Sequence, residues 1–148
     1  MLAKIGRIRK ISNVWETAPV GFLAQPNFLN MALLLETEYL AEELRATLLR
    51  SIEQTLHRVR TENPNAPRTI DIDLALFNEE VVMLGTRQIP DPDILTRAFV
   101  AIPLAEIAPD YVHPQCQLTL REIAARFQNA KKEMIKREDV ALDDLDVR

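Results

Sequence analysis

The chain has 148 residues, of which 47% are hydrophobic and 27% are charged, a balance typical of a folded globular protein. Its formal net charge of −4 argues against a general nucleic-acid binder or a membrane-surface binder. The single cysteine excludes an internal disulfide, and no stretch approaches the roughly 20 apolar residues of a membrane span. We expect a cytoplasmic protein with one domain over residues 1–130 and a charged tail over residues 131–148.

The first part of the chain predicts extended segments followed by a long helix. Residues 1–10 carry apolar side chains at helical spacing and are interpreted as the end of a helix that runs into a strand. Residues 11–17 are predicted to be extended, and residues 27–37, apolar on nearly both faces, to form a central strand. Residues 41–58 have an apolar stripe at about 3.6-residue spacing, which predicts an amphipathic helix.

The middle of the chain predicts a loop, a strand and a hairpin. Residues 61–67 are polar and interrupted by proline, which is typical of a loop. Residues 68–77 alternate apolar and polar side chains, which predicts a strand. The turn-forming residues 78–80 then lead to apolar residues 81–83, so the two segments are expected to form a hairpin.

Capping residues predict the helices of the last third. Asp91 precedes Pro92 and is expected to cap the first of two short helices over residues 92–108. Thr119 and Glu122 have the spacing of a capping box, which predicts the start of another helix. Because strands and helices do not alternate strictly, the pattern favours an α+β fold, with an antiparallel or mixed sheet and helices on its faces.

The acidic pair Asp71 and Asp73 is the most informative functional signal. On the predicted strand these carboxylates share one face, while the neighbouring apolar residues fill the other. Magnesium prefers such oxygen ligands and sits between carboxylates and substrate phosphates. Arg68, three residues before the pair, could bind a phosphate oxygen through two hydrogen bonds. The alternative is a half-buried strand whose polar face is only solvated.

Aromatic, amide and basic residues accompany this acidic pair along the chain. The segments run from Trp15 to Gly21, Phe28 to Asn30, Ile52 to Glu53, His57 to Arg60, Pro67 to Asp73, Pro90 to Asp91 and Arg97 to Phe99. Over residues 12–127, this order resembles the 6-hydroxymethyl-7,8-dihydropterin pyrophosphokinase family of folate synthesis. The resemblance implies a ferredoxin-like α+β fold with a mostly antiparallel sheet. It also implies transfer of a pyrophosphoryl group from ATP to the pterin hydroxymethyl oxygen, with release of AMP.

The resemblance further implies a role for each matching residue. Asp71 and Asp73 would hold two Mg²⁺ ions against the ATP phosphates. The implied ligands of the phosphate oxygens are Arg58, Arg68 and Arg97, and those on the nucleotide side are Glu53, Arg60 and Asp91. The implied pterin contacts are Thr17, Val20, Phe28, Asn30 and Phe99. In this scheme the Asn30 amide bonds the ring edge, the aromatic rings stack on the pterin, and residues 61–67 form a mobile lid.

The chain also departs from the family pattern. Family members begin with a strand and a tight turn that this chain lacks, so a slot is expected in the sheet. Sequence upstream of Met1, another segment or a second subunit would fill it, which leaves a monomer or a dimer open. Asp91 stands where the family has a histidine, His57 replaces a glycine, and the lid loop lacks a tryptophan. The alternative to an active enzyme is therefore an impaired or incomplete member that binds pterin or nucleotide or depends on a partner.

Overall fold

The computed structural model describes residues 6–17, 28–48, 50 and 72–139. These residues form strands and helices in a mixed α/β arrangement. In chain order they are β1 (Arg7–Ile11), β2 (Val14–Thr17), β3 (Phe28–Asn30), β4 (Leu33–Glu36), α1 (over residues 41–48), β5 (Val82–Leu84), β6 (Arg87–Ile89), α2 (Asp93–Thr96), α3 (Ala98–Ile107), α4 (Leu120–Ala125), α5 (Gln128–Lys131) and β7 (Ile135–Arg137). No helix among the described residues is long and apolar enough to cross a membrane.

Residues 7–17 and residues 28–36 run antiparallel to each other and form two successive strand pairs. β1 pairs with β4, and β2 pairs with β3, so a break occurs at the same level in both stretches. At the break, the Ser12 N–H donates to the Ala32 carbonyl at 2.8 Å, and the Ala32 N–H donates to the Ser12 hydroxyl at 2.8 Å. The single strand predicted over residues 27–37 is therefore two strands, because a side-chain oxygen replaces a backbone acceptor between them.

The C-terminal strand β7 is a part of the folded domain. It pairs antiparallel with β2, on the opposite edge from β3. The guanidinium of Arg137 forms ion pairs with Glu16 on β2 and with Asp139. Residues 135–137 are therefore not a free charged tail, as the sequence alone predicts from residue 131. The charged residues of this segment do not predict a strand, and its pairing partner β2 lies more than a hundred residues earlier in the chain.

The predicted strand over residues 68–77 is not formed in its described part, residues 72–77, which has no regular secondary structure. The segment lies between two apolar clusters. Ile72 and Leu74 pack against the α1 cluster of Leu44 and Leu48, whereas Leu76 packs against a second cluster around Ile94. Packing on both sides is compatible with a strand, but among the described residues none pairs with residues 72–77, so the segment lacks the hydrogen-bonded neighbour that a strand needs.

The predicted hairpin forms between a different pair of strands. The turn at residues 78–80 forms, with Asn78 at a φ of +49° and the Glu80 N–H donating to the Phe77 carbonyl. However, β5 pairs with β6 across Gly85, and it does not pair with residues 72–77. Gly85 has a φ of +64°, a backbone conformation that favours glycine in a tight hairpin turn.

The helices of the last third form the second core. Their contacts centre on the buried side chains of Ile94, Ala101, Leu120 and Ile123. The two helices predicted over residues 92–108 are confirmed as α2 and α3, and the helix after Thr119 is confirmed as α4. Both hydrogen bonds of the predicted capping box at its start are present. These helix starts follow from local sequence because a cap bonds backbone within a few residues of itself.

Candidate functional site

A cavity of about 290 Å³ lies among α1, the segment around residue 73, the β5–β6 hairpin and the start of α2. Its wall is apolar at Leu48, Ile72 and Leu74. The charged side chains that line it, among the residues that the structure describes, are Arg45, Asp73, Arg87, Asp91 and Asp93. An apolar wall beside convergent charged groups is typical of a small-molecule site.

Asp73 presents its carboxylate to this cavity. The side chain is about half exposed, and its Oδ1 lies 3.3 Å from Nη2 of Arg87 on β6. An accessible carboxylate in an open cavity has the donor chemistry that a hard divalent cation needs. Among the described residues, no group of at least three His, Cys, Asp or Glu side chains could hold a metal ion. Asp71, the second carboxylate of the predicted pair, lies outside the described residues.

Asp91 lines the same cavity. Its Oδ1 accepts a hydrogen bond from the Asp93 N–H at 2.9 Å, so it bonds backbone at the start of α2 as predicted, although the N-cap residue of α2 is Pro92 and the helix begins at Asp93. Its own N–H donates to the Ala75 carbonyl at 2.9 Å and so ties α2 to the segment that carries Asp73. Partial burial raises the pKa of the Asp91 carboxyl, and the nearby negative charges of Asp93 and Asp73 raise it further.

Thr17, Phe28 and Asn30 come together on one face of the β2–β3 pair. Thr17 lies opposite Phe28, and Trp15 lies opposite Asn30, so alternation along each strand puts these side chains on the same face. The Asn30 Nδ2 donates a hydrogen bond to the Thr17 Oγ1 at 3.4 Å. The Phe28 ring is 53% exposed. An accessible aromatic ring beside an amide and a hydroxyl can bind a flat heterocycle with a polar edge.

Arg97 and Phe99 lie at the start of α3. Arg97 is exposed between α2 and α3, and Phe99 is half-buried in the first turn of α3. Neither residue lines the cavity around Asp73, so these two and the strand residues form a region separate from the cavity wall. α3 packs against β2 and β3, the strands that carry Thr17 and Asn30.

Glu106 on α3 anchors this helix to the strands of the candidate site, a role that the sequence alone did not reveal. Its carboxylate accepts hydrogen bonds from the Trp15 indole N–H at 3.0 Å and from the Asn13 backbone N–H at 3.2 Å. The Asn13 side-chain amide donates to it as well. Glu106 is the one charged residue in the sequence of α3, and this isolated charge in an apolar helix was the available signal. The contacts dock α3 on the strand face that carries Thr17 and Asn30.

The remaining predicted site residues cannot be placed in this arrangement. Those outside the described residues are Val20, Glu53, Arg58, Arg60, Arg68 and Asp71, together with the lid over residues 61–67. Their roles stay predictions. Among the described residues, Asp73 and Asp91 line the same cavity, and Asn30 and Phe28 lie on the same strand face.

The chain matches a family model over residues 1–109, described as 7,8-dihydro-6-hydroxymethylpterin-pyrophosphokinase. It is similar to the 2-amino-4-hydroxy-6-hydroxymethyldihydropteridine pyrophosphokinase of Aquifex aeolicus, with 36% identity over 115 residues, 78% of this chain and 71% of that protein. Identity to the enzyme of the same name from Bacillus subtilis is 42% over 100 residues, 68% of this chain and 59% of that protein. The folic acid synthesis protein FOL1 of Dictyostelium discoideum is 31% identical over 122 residues, 82% of this chain but only 18% of its own length. The chain therefore belongs to the 7,8-dihydro-6-hydroxymethylpterin-pyrophosphokinase family.

Proposed function

We propose that this chain transfers a pyrophosphoryl group from ATP to 6-hydroxymethyl-7,8-dihydropterin, a step of folate synthesis. In this reaction the hydroxymethyl oxygen attacks the β-phosphorus of ATP, the bond from that phosphorus to the α-phosphate oxygen breaks, and AMP leaves. Family membership supports the proposal. The observation that carries it is the accessible carboxylate of Asp73 at a cavity of about 290 Å³ whose lining also includes the guanidinium groups of Arg45 and Arg87.

The pterin is proposed to bind on the β2–β3 face. The Asn30 amide both donates and accepts hydrogen bonds, which matches the amide-like edge of a pterin ring. Its Nδ2 donates a long hydrogen bond of 3.4 Å to the Thr17 hydroxyl, which favours the orientation with the amide nitrogen towards Thr17. Phe28 offers an exposed ring for stacking, and Phe99 on the docked helix α3 is the proposed second aromatic contact.

The phosphates are proposed to bind between Asp73 and a set of arginines. Asp71 and Asp73 would hold two Mg²⁺ ions, and the donor chemistry of Asp73 fits such an ion. When bound, these ions neutralise phosphate charge and orient the groups for in-line attack. Arg58, Arg68 and Arg97 would bind phosphate oxygens and stabilise the leaving AMP. Arg97 does not line the cavity of Asp73, but its exposed side chain at the start of α3 would be accessible to a phosphate that extends beyond the cavity.

We further propose that the sheet is completed into a ferredoxin-like arrangement by a strand between β4 and residues 72–77. Among the described strands β4 pairs only with β1, and residues 72–77 pair with none. Both segments nevertheless pack against α1. A strand supplied by this chain or by a second copy would satisfy the backbone groups on both sides.

The single cysteine supports a cytoplasmic location.

A second candidate function is binding of pterin or nucleotide without efficient turnover. It is favoured by Asp91, which places a carboxylate in the cavity where the family has a histidine. An ionised carboxylate repels a triphosphate, whereas a histidine can donate a hydrogen bond to it. The two candidates differ in whether AMP appears.

A coupled assay for AMP, run with and without the pterin, tests the proposed reaction. Wild-type protein should release AMP only when both substrates and Mg²⁺ are present. Asp73→Ala should reduce kcat at least about a hundredfold, since it removes a charge that acts in the transition state. Asp110→Ala is the matched control, because Asp110 is also exposed and pairs with a single arginine, at 3.2 Å. Pterin-dependent AMP release that is unchanged in Asp73→Ala would refute the metal role.

A further inference from the structure

Arg87 lines the cavity beside the Asp73 carboxylate, and the proposed reaction assigns it no role. It is the first residue of β6, and its Nη2 is 3.3 Å from the Asp73 Oδ1. It also acts on Asp91, because its positive charge lowers the pKa of that carboxyl while burial and the other acids raise it. The side chain is 63% exposed, so it has room to change partner.

The charges that line the cavity make Arg87 important for anion binding. Among the described lining residues, three carboxylates (Asp73, Asp91 and Asp93) face two guanidinium groups (Arg45 and Arg87), so their formal charges sum to −1. The Arg45 guanidinium lies at the hairpin turn, where a Cβ added to Gly85 would be 3.3 Å from its Nη1. Loss of Arg87 would make the local charge more negative by one unit, from −1 to −2 over the described lining residues, which favours a cation and disfavours a triphosphate.

We propose that Arg87 is a binding residue for the triphosphate, which it contacts after a divalent ion has displaced it from Asp73. The inference rests on the proposed function, since it names a further ligand of the same nucleotide. A divalent ion on the Asp73 carboxylate neutralises its charge and repels the nearby guanidinium, and because the Asp73–Arg87 pair is exposed and weak, metal binding favours release of Arg87. Its planar fork then matches a phosphate group, which accepts two parallel hydrogen bonds.

This role predicts opposite shifts in two affinities when the side chain is removed. In Arg87→Ala, Mn²⁺ alone should bind roughly threefold to fivefold tighter, because Asp73 has lost its competing partner. A non-hydrolysable ATP analogue with Mg²⁺ should bind roughly fivefold to tenfold weaker, because a charge-assisted contact is lost. Arg87→Lys keeps the charge without the fork, so its metal affinity should stay near wild type and its analogue affinity should fall between the two.

Arg121→Ala is the control. It breaks an ion pair of similar length, 3.2 Å from Nη2 to the Asp110 Oδ1, with a similarly exposed arginine at 67%. Arg121 does not line the cavity. Its removal should leave both affinities within experimental error. Because an exposed ion pair contributes little to stability, both alanine variants should fold, which thermal unfolding can check.

Isothermal titration of both ligands distinguishes the outcomes. Opposite shifts in Arg87→Ala, absent from Arg121→Ala, support the inference even if the wild-type protein releases no AMP, which would refute only the proposed reaction. Unchanged analogue affinity in Arg87→Ala, in a protein whose wild type releases AMP with pterin, overturns the inference and leaves the proposed function standing. A fall in both affinities also overturns it, since a damaged site weakens metal and nucleotide alike.

Discussion

Substitution of Glu106 by alanine should destabilise the fold and weaken pterin binding together. The carboxylate accepts hydrogen bonds from Trp15 and Asn13, and so joins α3 to the strand that leads to Thr17. Without it, α3 loses its polar anchor to the sheet. Phe99, in the first turn of the same helix, then loses its fixed position relative to Asn30.

The magnitude follows from how far water can replace the lost acceptor. Trp15 is only 7% exposed, but Glu106 is itself exposed, so water can approach the indole N–H in the variant, and the loss of this charge-assisted bond costs about 1–2 kcal/mol. Asn13 is exposed, so water can replace most of its two bonds, and their loss adds about 1 kcal/mol. The total of roughly 2–3 kcal/mol corresponds to a fall in Tm of roughly 5–10 °C for a domain of this size. A typical stability of about 5–15 kcal/mol leaves the variant folded at 25 °C.

Guanidinium chloride unfolding of Glu106→Ala, Trp15→Phe and the double variant measures this contact. The cycle should give a coupling energy of about 1–2 kcal/mol between the two side chains. Glu133→Ala serves as control, because Glu133 is exposed on the turn after α5 and should change stability by less than about 0.5 kcal/mol. KM for the pterin should rise in Glu106→Ala while KM for ATP changes less. Additive single losses, or a pterin KM equal to wild type, would refute the reasoning.

Two further predictions concern a titrating group and a helix cap. Folding raises the pKa of the Asp91 carboxyl, so ionisation of this group destabilises the fold as pH rises through that pKa. Asp91→Asn should therefore be more stable than wild type at pH 7, since its amide oxygen can still accept the hydrogen bond from the Asp93 N–H. This advantage should shrink towards pH 4, and urea midpoints that differ equally at both pH values would contradict it. Thr119→Ala removes the capping box with Glu122 and should cost about 1 kcal/mol, or roughly 2–4 °C in Tm. It should leave AMP release unchanged, and a loss of activity beyond the loss of folded protein would show that α4 has a role outside stability.

Local rules predicted the helix starts correctly. Thr119 and Glu122 bond each other's backbone within one turn, and Asp91 bonds the N–H two residues on. Such contacts need no information from the rest of the chain, so the sequence is sufficient for them. The ferredoxin-like arrangement, in contrast, depends on strand order, and the structure supports only the coarser mixed α/β architecture with antiparallel pairs.

Strand identity was the weaker part of the sequence analysis. Residues 72–77 have the alternation of a strand, yet a strand also needs hydrogen-bonded neighbours, and none pairs with them among the described residues. β7 shows the opposite case, since a charged segment became a strand because β2 offered an edge and Glu16 offered a partner for Arg137. Pairing is a property of two distant segments, so one segment's pattern cannot decide it.

The sequence by itself determined the chemical groups of this protein: the carboxylate of Asp73, the amide of Asn30 and the ring of Phe28. The spacing of Phe28 and Asn30 also put these two side chains on one face of β3. Tertiary structure alone decided which groups meet. It set Arg87 against Asp73, and it joined Glu106 to Trp15 across 91 residues of chain. The physical reason is that residue type and local spacing fix what a side chain can bond, whereas the folded path of the backbone fixes which partner comes within bonding distance.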